Sequence, residues 1–582
     1  MKKDFSLSND KVMINFTAKY CDSQEKLLGS SGFKRILISY LNRIKGRNSN
    51  VYKFLEDSIG DEDEVIIADT IITVFRFLAI LKVEEILNLN NKYEKLLLDK
   101  DSFIHFIEDL YGYWRRLERY TIVQNSKINE GLESVSFIDA NNEFTKLVLN
   151  LYRKIEENVI GFKPKVYRQL PAGGNAGLIL TSVKWPCPVE YECLKDIPFI
   201  DSILLDPPFI VYPKRNTRDG VFSQTTENPL KDCYINKDHW FCYPAKVGTL
   251  LAYIYFHRDF MAHGVTLCNL FEMAKDSEYK DKKPDLVYVY GAKDTCDDVR
   301  TMFYDDIKNN IMLGFVSYDE SIDYFGYMKK MTLTLHNLIM IKRGNLPIHG
   351  AMVNIIMKDG KTANVVIMGD SGAGKSESLE ALRLLSGNYI SDMTVIFDDM
   401  GILSLNGDEK PLASGTEIGA FVRLDDLDPG YAFREIDRSI FMNPDKINAR
   451  LVIPITSYRD IIKGYPVDIF LYANNYDDFE DIEDAIEYFD TPEEAKEVFR
   501  AGARMAKGTT TEIGLVKSFF ANPFGPVQMM EETNKLLDIY FDKLYKSGVK
   551  VGQMKTRLGV PGKEKGGPRK AALKLFNIIK EL

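Results

Sequence analysis

The segment Gly369-Asp-Ser-Gly-Ala-Gly-Lys-Ser376 carries residue types and a spacing that suit a polyphosphate. It satisfies the pattern GxxxxGK[ST], in which glycines let backbone N–H groups turn inward around phosphate oxygens. A helix opening directly after the loop adds the positive end of its dipole. Lys375 then reaches the β and γ phosphates, and the Ser376 hydroxyl completes the coordination of Mg²⁺. Gly369, Asp370, Ser371, Gly372, Ala373, Gly374, Lys375, Ser376 and the following Glu377 are therefore read as a nucleoside triphosphate cradle.

Such a cradle needs a strand before it and a helix after it. Ala363–Met368 (ANVVIM) has the pattern of a buried strand, and Glu377–Leu385 (ESLEALRLL) that of a helix. Upstream, Ile348–Met357, the turn Lys358-Asp-Gly-Lys361 and Ala363–Met368 read as a β-hairpin feeding the loop. That is not the βαβ entry of ordinary P-loop NTPases, and no apolar run ending in an Asp-Glu pair follows at the usual distance. Asp392 comes soon after the helix instead.

The rest of the chain supplies the frame. Residues 1 to about 163 read as a helical segment: Ile66–Leu87 and Phe103–Tyr120 have apolar residues three and four apart, and no proline precedes Pro164. Its Trp114-Arg115-Arg116 run and His105 read as packing and solvated-face residues. From 164 to 330, prolines, glycines and short apolar runs such as Ile197–Tyr212 and Leu286–Tyr290 predict a mixed α/β segment. From 331 to 582, strands (Val395–Phe397, Ala449–Ile455, Val467–Ala473) alternate with helices, and Arg569–Leu582 closes the chain as a packed amphipathic helix. The expected class is α/β, of the mixed α+β kind, in three segments.

With 582 residues, 45% hydrophobic and 27% charged, the composition is that of a globular chain too long for one core. A net charge of −9 speaks against a nucleic-acid surface. The seven cysteines form no CxxC pair, which speaks against a disulfide framework or a zinc site. The lysines of the first ten residues precede no apolar stretch, and no run approaches a membrane span. The expectation is a cytoplasmic protein without membrane or nucleic-acid partners.

The ordered motifs of the C-terminal half resemble those of the ATP-dependent phosphoenolpyruvate carboxykinases. Tyr324-Phe-Gly-Tyr-Met-Lys-Lys330 is similar to that family's Tyr-Gly-Gly-Glu-Met-Lys-Lys stretch, and Ile348-His349-Gly-Ala-Met-Val-Asn354 to its Met-His-Cys-Ser-Ala-Asn-Val strand. The P-loop follows, then Tyr389-Ile-Ser-Asp392-Met393 in place of Leu-Ile-Gly-Asp-Asp, then Asn448-Ala-Arg450. Val467–Ala473, Phe499–Thr509 and Ser518–Gly525 (SFFANPFG) continue the likeness in order.

The resemblance implies a fold with its P-loop in a nucleotide-binding C-terminal domain. It also implies ATP with Mg²⁺, a Mn²⁺ ion, and oxaloacetate as the small-molecule substrate, giving phosphoenolpyruvate, ADP and CO₂. It implies Lys330, His349 and Asp392 as metal ligands, with Asp398 and Asp399 as weaker substitutes for Asp392. It implies Tyr324 against the substrate, and Lys375 and Arg450 on the transferred phosphoryl group. Arg218, in Lys214–Phe222, is the nearest counterpart of the family's substrate loop. Met393 replaces the family's second aspartate, and the arginine of its Gly-Thr-Glu-Arg-Gly segment is missing from Gly508–Gly514. The loop also resembles that of HPr kinase/phosphorylase, which shares the fold. A kinase for another small molecule or a protein serine is the second expectation. The third is a nucleotide-sensing scaffold whose N-terminal segment binds a protein partner.

Overall fold

The computed structural model describes residues 3–8, 10–47, 49–125, 134–163, 172–218, 222–294, 299–370, 372–385, 389–424, 427, 435–506, 514–564 and 566–581. It is a mixed α/β structure that divides into two compact units. Unit 1 comprises Met1–Ser182 and Pro198–Phe209, and unit 2 comprises Val183–Ile197 and Ile210–Leu582.

Unit 1 is built on helices Ser31–Gly46, Asn50–Ile59, Glu64–Leu78, Lys100–Arg116 and Ser134–Ile160. Their starts are set by short polar side chains. Ser30 accepts from the Phe33 amide, Asp63 from those of Val65 and Ile66, and Asp99 from that of Ser102. The inward faces bury Leu37, Leu55, Ile71, Phe103 and Phe106 completely. Trp114 packs as expected and donates from Nε1 to the Ala172 carbonyl, while His105 is exposed.

Five strands, which the helical reading did not include, join the helices. Phe5–Ser8, Lys11–Asn15, Glu118–Asn125, Ala176–Thr181 and Phe199–Leu205 pair in that order. The helix expected to reach Tyr120 stops at Arg116. The β-branched run Thr121-Ile122-Val123 prefers extended backbone, and there it gains partners on both edges. The expected break near Pro164 lies outside the described residues.

In unit 2, Trp240–Val247, Leu250–His257, Leu286–Asp294, Ile311–Ser317, Thr301–Asp306 and Ser223–Thr225 form a sheet in that order. A second sheet of eight strands contains the hairpin Leu346–Met357/Thr362–Met368, antiparallel as the sequence predicts. Ile390–Leu405 flanks the hairpin on one side, and Ile469–Asn474 followed by Lys550–Lys555 on the other. A smaller sheet holds Gly419–Arg423, Arg450–Pro454 and Ile440–Met442. The closing helix is Gly567–Glu581, with Ala571, Ala572 and Leu575 buried.

The boundary expected at 330 separates no compact units. It falls inside the helix Phe325–Lys342, which is buried on every face, from Phe325 to Lys329 and from Met331 to Ile341. This helix packs on strands of both large sheets of unit 2, Ile311–Ser317 in one and Leu346–Met357 in the other, and so ties them together.

Candidate active site

The strand Thr362–Met368, the loop Gly369–Gly374 and the helix Lys375–Leu385 stand in the order the motif requires. Gly372 and Gly374 have φ of 78° and 97°, backbone that side-chain-bearing residues rarely adopt. A Cβ on Gly374 would also lie 2.7 Å from the Thr556 side chain, whose hydroxyl donates to the Ala373 carbonyl at 2.7 Å. Asn475 braces the other side, donating to the carbonyls of Gly372 at 3.1 Å and Met505 at 3.0 Å. Lys375 is folded back, with Nζ donating to the carbonyls of Gly369 at 2.7 Å and Asp370 at 3.0 Å. Glu377 sits in the helix's first turn. Ser371 and the Ser376 side chain lie outside the described residues, as do residues 508–513.

Asp370 turns away from the loop toward a buried polar cluster. Its Oδ2 accepts from Arg504 Nε at 2.7 Å, and its Oδ1 lies 3.6 Å from His349 Nδ1. His349, on the first hairpin strand, approaches the Ala521 carbonyl through Nδ1 at 2.8 Å and Asp399 Oδ1 through Nε2 at 2.9 Å. The other oxygen of Asp399 receives Lys330 at 2.6 Å and Lys329 at 2.7 Å. Lys329 also reaches the fully buried Glu417 at 3.2 Å.

The structure therefore brings Lys330 and His349 together with Asp399, not with Asp392. Asp392 is exposed and pairs with Ile356, whereas Asp399 pairs with Gly350, next to His349. At strand rise that puts Asp392 roughly 20 Å down the sheet. A register shift between Met352 and Val353 bulges the partner strand at Ile396, just before Asp399. Asp399 itself has φ of 147°, outside the extended region its neighbours occupy. Bulges and strained backbone of this kind re-aim side chains beside functional sites.

The electrostatics follow from burial and close charges. Burial alone would raise the Asp399 pKa, but Lys329, Lys330 and His349 hold it well below the usual carboxylate range. Burial pushes Glu417 up to about 8 against the pull of Lys329. Burial, reinforced by Lys329 and opposed by Asp399, lowers Lys330 to about 8. Burial, then Lys375, lowers His349 against the pull of Asp399. Among the described residues, with His349 and Glu417 neutral, Lys329 and Lys330 share Asp399 and Arg504 pairs with Asp370. The cluster thus has an excess of positive charge that suits an anionic ligand.

No family model and no curated protein matches this chain.

A cation fits one point of the cluster. The Ala521 carbonyl can only accept, so His349 Nδ1 carries the proton. In the neutral ring Nε2 then turns a lone pair toward a carboxylate oxygen 2.9 Å away. A positive ion between them relieves that opposition, and an imidazole, a carboxylate and a lysine amine form a donor set for such an ion. Among the described residues, no group of three His, Cys, Asp or Glu side chains is spaced to hold a metal. Any ion here would need the lysine.

Two phenylalanines that sequence reasoning did not single out organise the remaining expected residues. Phe524 lies under Lys330 Nζ at 4.5 Å and the Arg218 guanidinium at 5.3 Å, with its ring 5.9 Å from that of His349. Phe421 lies under Arg450 at 5.2 Å and Lys329 at 5.8 Å, and its ring is 5.9 Å from that of Tyr324. Cations over aromatic faces are stabilised by the ring quadrupole and kept in place without being neutralised. Tyr324 directly precedes the helix Phe325–Lys342, and its ring covers Gly326, where a Cβ would lie 2.2 Å from it. Arg450 keeps a buried Nε without a hydrogen-bond partner among the described residues. Glu417 and Arg504 were also missed: nothing in Ser414–Ala420 marks Glu417 as buried, whereas Arg504 stands inside the quoted stretch Phe499–Thr509.

Among the described residues no helix is long and apolar enough to cross a membrane. Cys21, Cys187, Cys193, Cys233, Cys242 and Cys268 form no disulfide among the described residues, and Cys296 lies outside them.

Proposed function

We propose that this chain is an ATP-dependent phosphotransferase of the phosphoenolpyruvate carboxykinase type, acting on oxaloacetate. The reading rests on one observation: Lys330, His349 and Asp399 converge beside Asp370 of a P-loop-like strand–loop–helix. Loss of the oxaloacetate carboxylate as CO₂ leaves an electron pair that becomes an enolate. The enolate oxygen takes the γ-phosphoryl group, and ADP departs. A bound Mn²⁺ would supply a Lewis acid for the enolate oxygen, held by His349, Asp399 and the Lys330 amine.

The chain's own residues account for the rest. The loop amides and the helix N-terminus hold the triphosphate, and Lys375 leaves its present carbonyl partners for the β and γ phosphates. Arg450, with a donor unpaired, is the group that meets the substrate or the transferred phosphoryl. Arg218, held over Phe524, takes a substrate carboxylate. The Lys330 pKa of about 8 leaves part of the amine neutral near pH 7, which a ligand role demands.

The deciding experiment gives purified protein ATP, Mg²⁺, Mn²⁺ and oxaloacetate and follows phosphoenolpyruvate, with ATP loss measured in parallel on a panel of other small acids and hydroxyl acceptors. Phosphoenolpyruvate formation supports the reading. ATP consumption with a different acceptor would replace oxaloacetate but keep the phosphotransferase. Nucleotide binding with no turnover of any acceptor would leave a nucleotide-sensing scaffold.

A further inference from the structure

Unit 1 contains no part of the site described above, yet it holds a half-open pocket of about 140 Å³ between its helices. Phe33, Phe75, Ile107, Leu110, Leu151 and Ile155 supply its walls. Asp4, Lys19, Cys21 and Ser30 add polar groups to its lining, and Lys19 is exposed. Protein interiors keep few voids larger than a water molecule. A cavity of similar size lined by Leu, Ile and Phe stays dry and takes up a single aromatic ring.

One wall residue is out of keeping with an empty apolar space. Tyr111 is 7% exposed, and its ring stacks on Tyr152 with centroids 4.0 Å apart and planes 9° apart. Its hydroxyl is buried and has no hydrogen-bond partner among the described residues. The neighbouring tyrosines are satisfied: Tyr40 on Asp109, Tyr113 on Ser39, Tyr152 on Glu108. A buried hydroxyl left unpaired is disfavoured by its full desolvation cost, and native interiors rarely keep one. The space and the orphan hydroxyl are independent observations, and an occupant with one polar atom answers both.

We propose that this cavity is a binding site for a small, largely apolar molecule, the size of a substituted benzene, with one hydrogen-bonding group that pairs with the Tyr111 hydroxyl. The site is separate from nucleotide chemistry, and its test uses no turnover.

The test is ligand-observed NMR on the full-length protein with p-cresol and with toluene, which lacks the hydroxyl. The wild-type protein should bind p-cresol about tenfold more tightly than toluene, the worth of one buried hydrogen bond. Tyr111→Phe, which removes one oxygen, should bind the two equally. Leu151→Trp, which fills the space with an indole, should bind neither while circular dichroism reports a folded chain. Absence of binding of either probe to the wild type overturns the proposal, and so does a p-cresol preference that survives Tyr111→Phe. If Leu151→Trp does not fold, the Tyr111→Phe comparison decides alone.

Discussion

Asp399 is held by three neighbours at once, Lys329 and Lys330 on one oxygen and His349 on the other. Removing its charge should act on both stability and ligand binding. Asp399→Asn leaves the fully buried Lys329 with Glu417, which burial keeps protonated near neutrality. Breaking a buried ion pair in this way costs about 3 kcal/mol or more, readable as a lower urea midpoint. In a Mn²⁺ titration, Asp399→Asn and His349→Ala should both weaken binding markedly, whereas Asp392→Ala, at an exposed strand position, should match wild type. Equal loss in all three variants would contradict the assignment to Asp399. Lys375→Ala should keep the fold and lose turnover by about 100-fold or more, the usual worth of a charge aimed at a developing phosphoryl group. Near-wild-type activity in that variant would remove the P-loop reading.

The helix Phe325–Lys342 carries a second testable group, His336. It is fully buried, and burial lowers its pKa to about 4. The unfolded chain takes up that proton near pH 6.5, the folded one only near pH 4. Stability from His336 is therefore fully present above about pH 6.5 and is lost as the pH falls toward 4. Near pH 5 the loss amounts to about 2 kcal/mol relative to pH 7. His336→Gln should flatten this acid limb in urea unfolding followed near pH 5 and near pH 7; an unchanged slope would refute it. Elements were readable from sequence where local pattern and tertiary demand agree. The hairpin, the P-loop strand and helix, and Gly567–Glu581 are of this kind. Glu118–Asn125 was not readable as a strand, because its run follows a helix directly and gains its partners from Lys11–Asn15 and Ala176–Thr181, remote in the chain. Asp399 was hidden for a different reason. The choice between it and Asp392 depends on register and on the bulge at Ile396, and neither is a property of the residues themselves.

At the scale of the molecule, each unit has its own core, and the proposed nucleotide and metal chemistry belongs to unit 2 alone. Trp114 reports on unit 1, and Trp185 and Trp240 on unit 2. ATP with Mn²⁺ at about 100 times its dissociation constant should stabilise the unit that binds it by about 2.7 kcal/mol. In thermal unfolding, that shift should survive Trp114→Phe and be absent from the signal of a variant keeping Trp114 only. A shift seen solely through Trp114 would put the nucleotide in the wrong unit.

The division of the chain also has a consequence for ancestry. The backbone leaves unit 1 after Ser182, returns at Pro198 and leaves again after Phe209. The returning strand Phe199–Leu205 completes the sheet of unit 1 against Ala176–Thr181. A single joint in the coding sequence after Phe209 would therefore carry Val183–Ile197 of unit 2 along with the whole of unit 1.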